Sequence, residues 1–375
     1  MLVAVLSLIA GGGLLLIGAE GLVRGAARLA AMVGISPLVI GLTVVSYSTS
    51  APELAVSIQS TLAGQGDIAL GNVIGSNIFN VLMILGLSAM VIPLTVAQQL
   101  IRLDVPIMIG ISALLMVFSL DGRLQTSDGG VLFVSGVLYT LFLIYQSRKE
   151  TDLEVQDEYV REYAGRDKSL ASALMQVALV LGGVLLLVVG SRLLVSGAVA
   201  IATAIGVSEL VIGLTIIAAG TSLPELATSV VATLRGERDI AVGNVIGSNI
   251  FNILSVIGIA TMVSSTGITV PNSALYFDLP IMVAVAVACI PIFATGNVIS
   301  RWEGCLFTGY YIAYATYLIL RAADHEHLDV YGWVMLLFII PLTVITLATV
   351  VWRTFNRSKQ VDDRQTSVGK DSDSR

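Results

Sequence analysis

The sequence predicts an all-α polytopic membrane protein: a 5+5 inverted-topology repeat core with broken helices plus one extra C-terminal helix, about eleven spans in all. Three observations carry this. Composition is the first: 56% of residues are hydrophobic and 12% charged, where soluble domains carry ~25% charge. The second is a repeat, residues 36–86 returning at 208–258 with 32 identities over 51 aligned positions and an offset of 172. The third is that each unit holds five spans, an odd number, so the second copy enters the bilayer from the opposite face.

A span needs about 20 largely apolar residues. The first is expected at 2–22, which has no basic leader or convincing cleavage site and so reads as a helix rather than a removable signal. The next four are expected at 36–60, 68–91, 101–119 and 131–147, completing a first unit over 1–147. The second unit, 173–321, places spans at 173–195, 207–232, 240–263, 274–296 and 303–321. A charged linker, 148–172, joins the units, and short polar turns such as Gly64–Asp67 and Gly236–Asp239 separate the helices. An outer loop and the eleventh span occupy 322–352, and the polar tail 353–375 is expected to be disordered.

Basic residues orient the chain. With the N-terminus outside, two Lys/Arg fall on the outer side and 17 on the inner side, Arg192 lying near a helix end. Cytoplasmic loops carry the excess of Lys and Arg, so the N-terminus is expected outside and the C-terminus inside, in the cell membrane. Cys289 and Cys305 lie in apolar surroundings and suit neither a disulfide framework nor a thiolate metal site.

The identities between the copies gather on polar residues. Ser48-Thr49-Ser50-Ala51-Pro52-Glu53 in the second span matches Gly220-Thr221-Ser222-Leu223-Pro224-Glu225 in the seventh. Proline lacks an amide hydrogen and crowds the preceding turn, so each span is expected to kink or break there. The break would free carbonyls of Ser46, Thr49, Ala218 and Thr221 beside hydroxyls and a carboxylate, an all-oxygen setting suited to hard cations such as Ca²⁺ and Na⁺. Asn72, Ser76 and Asn80 stack along one stripe of the third span, and Asn244, Ser248 and Asn252 repeat the stripe in the eighth. Gly71, Gly75, Gly243 and Gly247 would let these helices approach the broken ones closely. Asn72, Asn77, Asn244 and Asn249 also suit plain interhelical hydrogen bonding. Glu53 and Glu225 have no basic residue in neighbouring spans, so each must bind a cation or a proton. One Ca²⁺ or several Na⁺ would neutralise both, whereas an empty, doubly charged pocket is costly, and this couples two fluxes as exchange.

The pair G-x-T-x₅-T-S-x-P-E-L and G-N-x-x-G-S-N-I-x-N, present twice, resembles the alpha repeats of the cation/calcium exchanger superfamily and looks most like the prokaryotic sodium/calcium exchangers. The resemblance covers about residues 1–321. It implies calcium held by Glu53 and Glu225 with backbone oxygens of Thr49 and Thr221. It implies sodium sites that add Ser50, Ser76, Ser222, Ser248 and the carbonyls of Ser46 and Ala218, with Asn80 and Asn252 lining the centre. It also implies that the Gly-rich helices 2–22 and 173–195 slide as a pair to alternate access. Asn252 stands where the potassium-dependent branch carries Asp, and the G-N-x-x-E-H signature of proton/calcium exchangers is absent. Ser46-Tyr47-Ser48 departs from the second copy's Ala218-Ala219-Gly220 and is expected to bear on the driving ion.

The expected activity is therefore secondary active exchange of Ca²⁺ for Na⁺, with a proton-driven or other-cation exchanger as the alternative and a cation channel as a rival class. No enzyme activity, cofactor or nucleic-acid partner is expected, and a single chain is expected to be the transport unit. Asp104 and Asp278, in matching D-x-P motifs, are expected to cap the fourth and ninth helices.

Overall fold

The computed structural model describes residues 1–149, 169–323 (except 208, 213, 214, 217 and 295), 328–335, and positions 337, 340, 341, 344 and 348. Most of the linker, the 324–327 loop, most of the expected eleventh span and the tail lie outside these residues. The helices are α1 (Leu2–Val33), α2 (Pro37–Thr49), α3 (Ala51–Leu62), α4 (Gly66–Val91), α5 (Leu100–Phe118) and α6 (Thr126–Lys149). They continue as α7 (Leu170–Ala204), α8 (Leu223–Leu234), α9 (Arg238–Val263), α10 (Ala274–Ala294), α11 (Arg301–Ala322) and α12 (Leu328–Val334).

Among the described residues, seven helices are long and apolar enough to cross a membrane, or eight when α2 and α3 count as one bent span. The sequence led us to expect eleven, and three of those expected are not among the helices counted. Within the seventh expected span the described residues form Glu209–Ile212, Ala218–Gly220 and α8, with positions 208, 213, 214 and 217 outside the described set. The tenth, α11, is 22 residues long. Its Tyr310, Tyr311, Tyr314 and Tyr317, with charges at both ends, dilute its apolar content. The eleventh falls mainly outside the described residues.

α4 and α9 form the centre. Their apolar windows are 78% and 89% buried, against 22–39% for the other long helices. Each passes into a π-helical stretch at its last motif residue, Asn80–Leu85 and Asn252–Ile257. Such widened turns reset which face the following residues present, and they are frequent at functional sites. Two more π-helical stretches, Leu100–Asp104 and Ala274–Asp278, are also matched between the halves. Two short antiparallel ladders join one half to the other, pairing Leu94 with Ile299 and Arg123 with Thr269.

α1 and α7 lie antiparallel along a seam of glycines spaced by seven: Gly11, Gly18 and Gly25 on one, Gly183, Gly190 and Gly197 on the other. A Cβ on Gly18 would sit 2.7 Å from the Gly183 carbonyl oxygen, and one on Gly183 the same distance from that of Gly18. The backbones touch, so the pair packs as one body. Together α1 and α7 span 32 and 35 residues, about 50 Å each at 1.5 Å per residue, well beyond a ~30 Å hydrocarbon core.

The close approach expected of the motif glycines is found on one side. A Cβ on Gly243 or Gly247 would meet backbone of Leu38 and Leu42 at 2.9 and 2.5 Å. Around Gly71 and Gly75 no described atom lies within 4 Å of that point, and residues 213 and 214, the repeat counterparts of Gly41 and Leu42, are outside the described set. Asp104 does not act as the expected cap. Its backbone is helical and its carboxylate accepts from Tyr139 at 2.8 Å and Gln99 at 3.2 Å. Asp278 likewise accepts from Tyr314 at 2.9 Å. A capping residue needs extended backbone to turn its side chain onto the first amides, and here the π-helical stretch runs straight into the next helix.

Candidate functional site

Glu53 and Glu225 stand in the first turns of α3 and α8, each just after a proline at the second helical position. Proline costs little there because the first-turn amides have no intrahelical acceptor, and the helix N-terminus favours a carboxylate. α2 and α3 meet at 44°. Both glutamates have zero exposure and no basic partner among the described residues.

The two carboxylates are held reciprocally. Ser50 donates to Glu225 Oε1 at 2.9 Å, and Ser222 donates to Glu53 Oε1 at 3.1 Å. Ser76 also reaches Glu53 Oε1 at 3.4 Å and lies 3.1 Å from Ser222. Oε2 of each glutamate is buried with no hydrogen-bond partner, as are Asn80 Oδ1, Asn252 Oδ1 and Ser248 Oγ. Unpartnered buried oxygens are rare and costly, and five of them fall on residues that the repeat singles out.

The asparagines brace this arrangement. Asn72 donates to the Glu53 carbonyl at 3.4 Å and to Ser57 at 3.2 Å, while its Oδ1 accepts from Thr221 at 3.4 Å. Asn244 does the same at the Glu225 carbonyl (3.4 Å) and Ser229 (2.9 Å), accepting from Thr49 at 3.1 Å. Between the central helices Asn77 donates to the Asn249 carbonyl at 3.2 Å and Asn249 to that of Asn77 at 3.3 Å. Asn80 donates to Asn249 Oδ1 and Asn252 to Asn77 Oδ1, each at 3.1 Å. Hence Asn72, Asn77, Asn244 and Asn249 serve as interhelical ties, with both amide atoms engaged.

The carbonyl expected to be freed at Ser46 is instead occupied. The Ser50 amide donates to it at 3.0 Å and Thr49 Oγ1 at 3.3 Å. The reason is register: the amide missing at Pro52 is the one that would reach Ser48, four residues back, and not Ser46. In the second copy the corresponding carbonyl, Gly220, accepts from Ser191 of α7 at 2.5 Å. Ser46 adds no hydroxyl to the site either, since it donates back to the Leu42 and Thr43 carbonyls at 2.7 and 3.1 Å. Ala218 opens the short stretch Ala218–Gly220.

Tyr47 stacks on Phe251 at 4.3 Å between ring centroids, and its hydroxyl bonds to Thr140 of α6. Gly220 is small because Val195 of α7 comes within 2.7 Å of where its Cβ would be. Tyr47 thus packs against neighbouring helices, and the Ser46 hydroxyl is engaged within its own. Sequence reasoning missed the Ser57 and Ser229 acceptors and the Ser191 tie. Ser57 and Ser229 were legible as identical positions in the repeat, whereas Ser191 has alanine, Ala19, at its counterpart.

Inverted helical halves around paired, buried and incompletely partnered carboxylates define a secondary transporter. A model of the family described as sodium/calcium exchanger protein matches residues 3–147 and 175–320, and the chain belongs to that family. It is 38% identical over 317 residues to the putative antiporter CaxA of Alkalimonas amylolytica, covering 84% of this chain and 98% of CaxA. It is 31% identical over 333 residues to the sodium/calcium exchanger MaX1 of Methanosarcina acetivorans, covering 80% of this chain and 94% of MaX1. The solved structure of the sodium-calcium exchanger NCX_Mj superposes with a TM-score of 0.70 at 31% identity, over 83% of this chain and 97% of that one. The chain is a membrane transporter and not an enzyme.

Proposed function

We propose that the chain's exchange of Na⁺ for Ca²⁺, by secondary active antiport with alternating access, runs through the pocket between Glu53 and Glu225. The observation that carries this reading is the pair of buried glutamate Oε2 atoms without partners. Two carboxylates stripped of water and of basic neighbours require positive charge. Calcium takes six to eight oxygens, and the carboxylates with the carbonyls of Thr49 and Thr221 supply the start of such a shell. Sodium is taken at positions that add Ser50, Ser76, Ser222 and Ser248, with the carbonyls of Ser46 and Ala218. Asn80 Oδ1 and Asn252 Oδ1, both unpartnered, line the centre.

We further propose the following arrangement of spans. Ten spans form two inverted fives over 1–147 and 173–321, and an eleventh follows within 322–352, with 148–172 as linker and 353–375 as tail. The 22 residues of α11 span about 33 Å, enough for the tenth crossing. The N-terminus lies outside and the C-terminus in the cytoplasm, following the basic residues. One chain is the transport unit.

The test is radiolabelled calcium uptake into proteoliposomes loaded in turn with sodium, with potassium, or with a pH gradient alone. Uptake is expected only with outward-directed sodium. Uptake driven by the pH gradient alone would overturn sodium as the driving ion.

A further inference from the structure

Among the described residues, two side-chain contacts tie the α1/α7 pair to the second half of the molecule. Glu20 of α1 forms a two-pronged ion pair with Arg235, which follows α8: Arg235 Nε donates to Glu20 Oε2 at 2.9 Å, and a guanidinium nitrogen lies 2.5 Å from Oε1. Ser191 of α7 donates to the Gly220 carbonyl. Gly220 and Arg235 bracket the arm that carries Ser222 and Glu225.

The repeat predicts where matching ties would fall in the first half. Shifted by 172, Glu20 becomes Arg192, Arg235 becomes Ala63, Ser191 becomes Ala19 and Gly220 becomes Ser48. An arginine cannot pair with Ala63, and Ala19 has nothing to give to Ser48. Arg192 is exposed and has no ion-pair partner in the described structure. Packing shows the same imbalance: α1 runs along α8, whereas α7 makes no comparable run of contacts with α3.

In an inverted-repeat transporter the second access state exchanges the environments of the two halves. In that state α7 would lie along α3 and α1 would leave α8. We propose that Glu20, Arg235 and Ser191 are positioning residues for transport, which hold the α1/α7 body against the Glu225 arm and so set the balance between the two access states. Neither tie can be rebuilt on the other side, so each favours only the state seen here. The glycine seam is needed for this, because a tie on α1 and a tie on α7 act on one body. The inference goes beyond the assignment of ions to ligands and holds whichever cation drives exchange.

The experiment is pulsed-dipolar spectroscopy on the full-length protein in proteoliposomes, with Cys305→Ser and spin labels at the exposed Leu16 and Leu234. Glu20→Ala and Arg235→Ala are each expected to raise the longer-distance population relative to the present one by roughly two- to five-fold, the range of an exposed ion pair. The double variant should do no more than either single, and the exchange Glu20→Arg with Arg235→Glu should restore the parent ratio. Ser191→Ala should add its own shift to that of Glu20→Ala. Arg24→Ala, whose contact with Glu20 lies within α1, should leave the ratio unchanged. Half-saturating calcium measured from the two membrane faces should move in opposite directions in Glu20→Ala. Unchanged distance populations, additive Glu20 and Arg235 effects, or half-saturation shifting the same way on both faces would each overturn the proposal.

Discussion

Ser50 of the first half hydrogen-bonds Glu225 of the second, 175 residues away, at 2.9 Å. The bond occupies Oε1 and leaves Oε2 open. Each carboxylate is thus oriented by a hydroxyl from the opposite arm, and moving one arm alters the setting of both acids.

Removing one acid should stop exchange while sparing the fold. Glu53→Gln or Glu225→Gln keeps the shape and the hydroxyl contact but removes the charge. Breaking a buried charge contact costs about 3–5 kcal/mol, so sodium-driven calcium uptake should fall by at least about 100-fold. The check is initial uptake rate beside the elution profile in detergent. A variant that retains the parent rate would remove these residues from the path.

Ser50→Ala and Ser222→Ala should have graded effects. A hydrogen bond to a charged group contributes about 1.5–3 kcal/mol, or roughly 10- to 100-fold. Half-saturating sodium is expected to rise in both variants, measured by uptake across a sodium series. Ser46→Ala, whose hydroxyl turns back onto its own helix, should change that value by less than about two-fold.

The central asparagines should report as stability. Asn77→Ala removes the donor to the Asn249 carbonyl and the acceptor for Asn252. Buried groups left unpaired cost about 1–3 kcal/mol each, so the melting temperature in detergent should fall by several degrees. The same is expected of Asn249→Ala.

The glycine seam gives a contrast within one helix. Gly18→Leu or Gly183→Leu forces a side chain into the partner backbone at contact distances below 3 Å, and overpacking costs at least about 1–3 kcal/mol. Gly12→Ala and Gly182→Ala meet nothing within 4 Å and should be neutral. Yield and melting temperature of the four variants settle it.

The helical class, both glutamates and the Asn/Ser stripes were legible because chemistry needed at the centre was kept in both copies. The count of spans was less so. Tyr-rich α11 falls short of a hydropathy rule because its tyrosines and terminal charges dilute its apolar content. The π-helical stretches left no local sign, because a widened turn uses the same residues as a normal one; their matched positions in the two halves were the only clue. At Ser46-Tyr47-Ser48 the sequence pointed to the driving ion, and the structure adds contacts that the sequence did not show: Tyr47 fits Phe251 and Thr140, and the Ser46 hydroxyl folds back on its own helix.

The asparagine contacts have one more consequence. Asn77 bonds Asn249 and Asn249 bonds Asn77, while Asn80 bonds Asn249 and its counterpart Asn252 bonds Asn77. Residue i meeting j while j meets i is the signature of an isologous dimer interface. The molecule is in this sense a tethered dimer of unlike halves, and its centre belongs to neither. A single five-helix half made alone could form its helices yet would expose a row of unmatched amides at mid-bilayer, so assembly of the site must wait until the second half has been inserted.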